Sequence, residues 1–407
     1  AATPAAAHAP PLPDRPSVAV LAFNNMSGDA EQEYFSDGIS EDIITDLSKL
    51  PELHVIARNS SFTYKGRAVD VKQVGRELGV RYVLEGSVRK AGNRVRVTGQ
   101  LIDAANGAHV WADRFDRELT DIFAVQDELT REIIAALRVT LTPEMKGRLA
   151  HKATIDVEAY NLFLRAREQA LLLTRTGNIE ARSLLGRAIA ISPEFAAAHA
   201  YIAFTHLNDF VNDWADAPEK SFASLVEFSE RAVALDGDEP YARFVRAETL
   251  LYRREHDRAL AEVAHCLALA PSSAEGHFAR ANILYFSGDA AGSLATLNAY
   301  IALDPFYHEI TLYFLAQAHE ALGQFDEAID ALTRRLARNP NSYTSWALLA
   351  ACYGHLGRID ESRAAWAELM KLAPDYSIER RRDILPFRDP GMFEHRLDGL
   401  RKAGLPV

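Results

Sequence analysis

The residues best placed to do chemistry fall in one stretch of the first hundred. Ser60, Ser61, Lys65 and Arg67 surround Gly66 in a segment that reads as a loop. Such a loop can offer amide and hydroxyl hydrogens, an ammonium and a guanidinium to an anion such as a phosphate. The wider segment 58–96 is rich in cations, including Arg58, Lys72, Arg76, Arg81, Arg89, Lys90, Arg94 and Arg96. The preceding segment, Asp29 to Glu52, is acidic. Two readings stay open: a basic face that receives an anionic ligand, or two neighbouring segments that neutralise each other.

Little else suggests chemistry. The two cysteines, Cys266 and Cys352, supply neither a disulfide framework nor zinc-site spacing. The thirteen histidines are dispersed, and His265, His277, His319 and His355 fall on helical segments, where packed or solvated imidazoles are the expectation. The phosphate loop, the dinucleotide fingerprint, the nucleophile elbow and the zinc-protease helix are all missing. The expectation is no catalytic set, no metal and no cofactor.

The net charge of −11 removes any global pull toward nucleic acid or anionic membrane. No window approaches the roughly 18 apolar residues of a membrane span. The chain starts at Ala1 without Met, and residues 1–16 are mostly Ala and Pro, an extended linker that suggests a segment removed upstream.

The elements that would carry a site come from periodicity. Pro271, Pro305, Pro340 and Pro374 recur every 34 or 35 residues, each after an apolar helix ending. Ala247, Ala281, Ala316 and Ala350 share one slot, and Ala259, Ser293, Ala328 and Ser362 another, where small side chains let antiparallel helices approach. Gly288, Gly323 and Gly357 occupy the turn. This pattern resembles the tetratricopeptide repeat. It covers about six units over 141–376, with four regular ones in 238–376, and residues 377–407 read as a cap over the last repeat's exposed face.

The resemblance implies a groove formed by first helices, on which it places Phe204, Tyr241, Phe244, Glu248, Phe278, Asn282, Tyr285, Tyr313 and Gln317. The implied ligand is a protein or peptide, although the same aromatics could instead pack against neighbouring helices. The Lys and Asn set of the family's carboxylate clamp is not supplied.

Residues 17–140 have a different rhythm. Their order reads βαβαβββα, with an apolar strand at Ser17–Phe23, a helix capped by Ser36 or Asp37, a helix ending at Gly79, and a hairpin about Ala91-Gly92-Asn93. The fold class is therefore multidomain: a small α/β domain with a mixed sheet, then an all-α repeat solenoid. The runs Asn25-Met26-Ser27-Gly28-Asp29, Val55-Ile56-Ala57-Arg58-Asn59-Ser60-Ser61-Phe62 and Tyr82-Val83-Leu84-Glu85-Gly86-Ser87-Val88 resemble the TolB-like amino-terminal domain. With repeats behind it, that module resembles the C-terminal, non-catalytic part of bacterial class III adenylate/guanylate cyclase-like proteins. No segment resembles the cyclase domain itself. The implied function is regulatory protein–protein interaction in bacterial signalling, in the cytoplasm or alternatively the periplasm, with a homodimer possible.

Overall fold

The computed structural model describes residues 13–149 and 155–406, so most of the Ala/Pro linker lies outside the described residues. Strand β1 (Ser17–Val20) is buried on both faces, as its unbroken apolar run requires. Strand β2 (Asn24–Asn25) follows. Helix α1 (Glu33–Ser48) starts earlier than the sequence suggested. Asp29 accepts from the Glu31 amide and opens a short 3-10 turn, which feeds α1 and leaves Ser36 and Asp37 inside the helix rather than capping it.

Strand β3 (His54–Val55) leads directly into a one-turn helix, α2 (Arg58–Ser61). Helix α3 (Val71–Leu78) is capped by Asp70 and ended by Gly79 at φ +66°. Strands β4 (Tyr82–Ala91), β5 (Arg94–Asp103) and β6 (Ala108–Glu118) precede helix α4 (Ile122–Ala136). The sheet order is β3-β1-β4-β5-β6, with β2 beside β4. Strand β1 runs parallel to both neighbours, and β4, β5 and β6 are antiparallel, so the sheet is mixed. The register aligns Val88 with Val97 and Val97 with Phe115, which puts three buried apolar side chains on one face.

Thereafter the described chain is helical: α5 (Pro143–Leu149), α6 (Val157–Ala170), α7 (Arg175–Ile191), α8 (Ala196–Val211), α9 (Pro218–Leu235), α10 (Pro240–Tyr252), α11 (His256–Leu269), α12 (Ala274–Phe286), α13 (Ala290–Leu303), α14 (Ile310–Ala321), α15 (Phe325–Arg338), α16 (Tyr343–His355), α17 (Ile359–Leu372), α18 (Ile378–Ile384) and α19 (Pro390–Lys402). The chain thus has the two expected parts, a mixed-sheet α/β domain and an array of paired helices.

Two compact units are present. The first runs to Arg246 and adds the stretches His265–Gly276 and Ala302–Phe306. One core cluster begins with Val18 and Phe35 and continues through Ile133 to Phe163, Leu185 and Ile202, while a separate one gathers Ala19, Ile56, Leu78 and Val83. The sheet domain therefore shares its interior with α6 to α8. The added stretches are helix ends, stitched on by hydrogen bonds from Ser272 Oγ to the Leu53 carbonyl (3.0 Å) and from the Ala57 amide to the Leu303 carbonyl (2.8 Å).

The second unit comprises Ala247–Ala264, His277–Ile301 and Tyr307–Val407. All eight small residues of the two repeat slots are buried there. Gly288, Gly323 and Gly357 have φ of +99°, +72° and +71°, a conformation that would strain any other residue at these turns. Helix α19 lies against α16 so closely that a Cβ at Gly354 would collide with the Gly399 carbonyl oxygen.

Candidate functional site

A cleft of about 780 Å³ opens within the first unit. One wall is the second half of α1, with Glu41, Asp42, Asp46 and Lys49, next to Arg58. Opposite stand Tyr160, Phe163 and Arg167 of α6 and the start of α8 as far as Tyr201. The turns 234–241 and 269–275 close the remaining side.

Charge organises the floor. Arg167 pairs with Asp42 at 2.9 Å and Glu41 at 3.4 Å, and donates to the Gly38 carbonyl at 3.1 Å. Burial alone would lower the affinity of its guanidinium for the proton, but the Glu41 and Asp42 carboxylates outweigh that and raise it. The Tyr160 hydroxyl donates to Asp42, and Gln126 Nε2 donates to both Asp42 and Tyr160 Oη at 2.8 Å. Arg58 meets the other carboxylate, Glu41, at 2.8 Å. The network fixes α6 against α1, because removing Arg167 would leave the Asp42 carboxylate without its cation.

The lining contains eight carboxylates (Glu41, Asp42, Asp46, Glu194, Asp236, Asp238, Glu239, Glu275) and three cations (Lys49, Arg58, Arg167). Burial pushes the Glu239 and Glu275 carboxyls up, and Glu41 and Asp304 push Glu275 further. These are the marks of a site with surplus negative charge, to which a cationic group would bring compensation.

Of the residues expected on a groove, three belong to this unit. Tyr241 stacks on Tyr201 with centroids 4.2 Å apart, while Phe204 and Phe244 pack edge-on or tilted around it. Tyr201 and Tyr241 reach the cleft, whereas Phe244 is buried.

The other six lie in the second unit, where Glu248, Asn282, Tyr285, Tyr313 and Gln317 are buried rather than open to a ligand and Phe278 is half-buried. Tyr285 is only 2% exposed and accepts from Arg396 of α19 at 2.8 Å. Phe387 covers it at 5.7 Å between ring centroids. Asn282 is buried and donates to Glu248 at 3.0 Å. Tyr313 is buried beneath the Arg335 guanidinium, Gln317 is buried, and Phe278 packs edge-on against Phe314 at 4.6 Å. The C-terminal segment covers the face that a ligand would need. Arg388 donates from its amide to the Phe286 carbonyl at 2.9 Å, and His256 faces the Pro386 carbonyl at 2.6 Å. The segment thus crosses first helices of several repeats rather than covering only the last one.

The anion loop is also corrected. Ser60 and Ser61 belong to α2 and are buried. The Ser60 hydroxyl donates to the Asp304 carboxylate and accepts from the Phe306 amide, so an anion there would meet a carboxylate. Lys65 pairs with Asp37 at 2.7 Å and Glu33 at 2.9 Å, and Arg67 lies exposed beyond it. Arg58 and Lys65 of the basic segment pair with the acidic one, whereas Arg81 pairs with Asp103, and Arg94 and Arg96 with Asp116. Sequence reasoning missed the Arg167–Asp42–Tyr160 network, in which Asp42 sits more than a hundred residues from its two partners on α6 and carries no local signal.

A family model described as "HilA/YgeH-like transcriptional regulator, second domain" matches residues 14–132. Two tetratricopeptide-repeat models match residues 244–308 and 309–352, so the helical array contains tetratricopeptide repeats. A protein of Rhizobium meliloti (strain 1021) named "Putative adenylate cyclase 3" is 51% identical over 255 residues, 62% of this chain and 43% of that protein. The chain therefore spans less than half the length of this relative. Among solved structures, a thermophilic TPR protein of Thermus thermophilus is 20% identical with TM-score 0.38, covering 48% of this chain and 98% of its own. TolB from Acinetobacter baumannii is 17% identical with TM-score 0.24, over 31% of this chain and 29% of its own.

Proposed function

We propose that this chain is a non-catalytic regulatory region of a bacterial signalling protein, and that it docks a basic segment of a partner protein in the cleft of its first unit. The carrying observation is the lining: eight carboxylates against three cations around a tyrosine-lined space of about 780 Å³. Lys and Arg side chains fit it, because their stems can lie along Tyr160, Tyr201 and Tyr241 while their charges meet Glu239 and Glu275. Tetratricopeptide repeats support a role in protein interaction.

Binding of fluorescent Lys/Arg-rich and Asp/Glu-rich peptides, followed by anisotropy, tests the reading. The basic peptide should bind, the acidic one should not, and Glu239→Lys/Glu275→Lys should abolish the signal. Equal binding of the basic peptide to the wild type and the double variant would sink the cleft assignment.

The likeness to the cyclase-named relative favours a second reading of the setting: a C-terminal part that regulates a class III adenylate or guanylate cyclase. Comparing nucleotide-cyclase activity of the parent protein with and without this region decides it. Unchanged activity rejects that setting and leaves peptide docking to stand or fall separately.

A further inference from the structure

We propose that Glu320, His355 and His395 form a binding site for one divalent transition-metal ion of the Zn²⁺ type, which ties α19 to the repeat helices α14 and α16. One carboxylate oxygen of Glu320 and one ring nitrogen from each histidine lie within 4.8 Å of one another. The three ligands come from three different helices of the second unit.

Two further observations point to a cation. Glu320 is 2% exposed, yet among the described residues its Oε1 has no hydrogen-bond partner, while Oε2 has only Arg396 at 3.5 Å. A buried carboxylate oxygen without a donor is costly, and a metal ion removes that cost. His355 Nε2 lies 2.9 Å from the His395 carbonyl, which can only accept, so Nε2 carries the proton and Nδ1 the lone pair. A backbone carbonyl that accepts from the other ring nitrogen is a usual second partner of a metal-binding histidine. Lys402 Nζ already approaches that lone pair, at 3.3 Å. Lys402 is exposed, so its side chain can swing into solvent and free that lone pair for a metal.

The donor set of two imidazoles and a carboxylate suits Zn²⁺, Co²⁺ or Ni²⁺ and not the oxygen-seeking Mg²⁺ or Ca²⁺. Tetrahedral ligation needs donors about 3.3 Å apart around Zn–N bonds of about 2.0 Å, so the cluster must contract. His395 is exposed and stacks on His355 at 4.5 Å, and turning its ring supplies the contraction. A water completes the fourth position.

Metal-free protein titrated with Zn²⁺ against a chelating indicator should bind one tight equivalent. Co²⁺ should give the intense visible bands of four-coordinate metal. His395→Ala, at an exposed position that leaves the fold intact by circular dichroism, should weaken Zn²⁺ by more than about tenfold and remove the Co²⁺ bands. Lys402→Gln should tighten Zn²⁺ binding, and Zn²⁺ should slow amide exchange in α19 of the wild type alone. Equal Zn²⁺ affinity in wild type and His395→Ala, or no saturable equivalent, would overturn the site.

Discussion

Arg396 carries its charge into the interior of the second unit, where the Tyr285 hydroxyl and Glu320 face it. Burial opposes the charged guanidinium, and Tyr285 and Glu320 more than restore it. Arg396→Ala should therefore cost about 3–5 kcal/mol, because Glu320 is left buried without its cation. Urea unfolding measures it, and a loss below about 1 kcal/mol would contradict the pairing. Glu248 gives a pH test in the same unit. Burial pushes its carboxyl up to about 8, against the partial relief of the Asn282 amide. A carboxyl raised in the folded state favours the neutral form. Its contribution is complete below the ordinary carboxylate range and is lost as pH rises through about 8. Glu248→Gln should raise the melting temperature at pH 9 and change it little at pH 4. An equal shift at both would show that ionisation is not the cause. Neither charge environment was legible in the sequence, where Arg396 is one cation in a mixed-charge tail and Glu248 reads as a groove position.

At the scale of elements, the close contact of α16 and α19 depends on two residues without side chains. Gly354→Ala should push α19 off its seat, at about 1–3 kcal/mol from overpacking. Loss of amide-exchange protection in 390–402 should accompany it; retained protection would show that the helix does not depend on this approach. Removing residues 378–407 should uncover Tyr285, Phe286 and the first-helix face, read as a rise in binding of a hydrophobic dye. The repeats themselves were legible because every unit repeats the same small and large slots, and buried Ala247, Ala281, Ala316 and Ala350 show that packing enforces them. The hairpin at Gly92 was legible for a similar local reason. What covers a first-helix face is not local. Tyr285 and Arg396 meet across 111 residues, so an inner face could be recognised while its occupant could not. Helix α2 escaped notice because one turn has too few residues to show a period.

On the scale of the whole molecule, the proposed docking of a basic segment would draw on the net charge of −11 as well as on the acidic cleft. Association with a Lys/Arg-rich peptide should slow as salt rises, with a smaller change in its dissociation rate. Stopped-flow measurements at two ionic strengths check it, and an association rate insensitive to salt would remove the electrostatic account. The continuous interior that runs from Val18 of the sheet to Ile202 of α8 has its own bearing on ancestry. A sheet severed near residue 140 would lose the packing partners supplied by Tyr160, Phe163 and Leu185 and expose the surface they cover. The smallest piece that evolution could lift out and graft behind a new output domain is thus the sheet together with its first helices. Recombination within that stretch would be selected against.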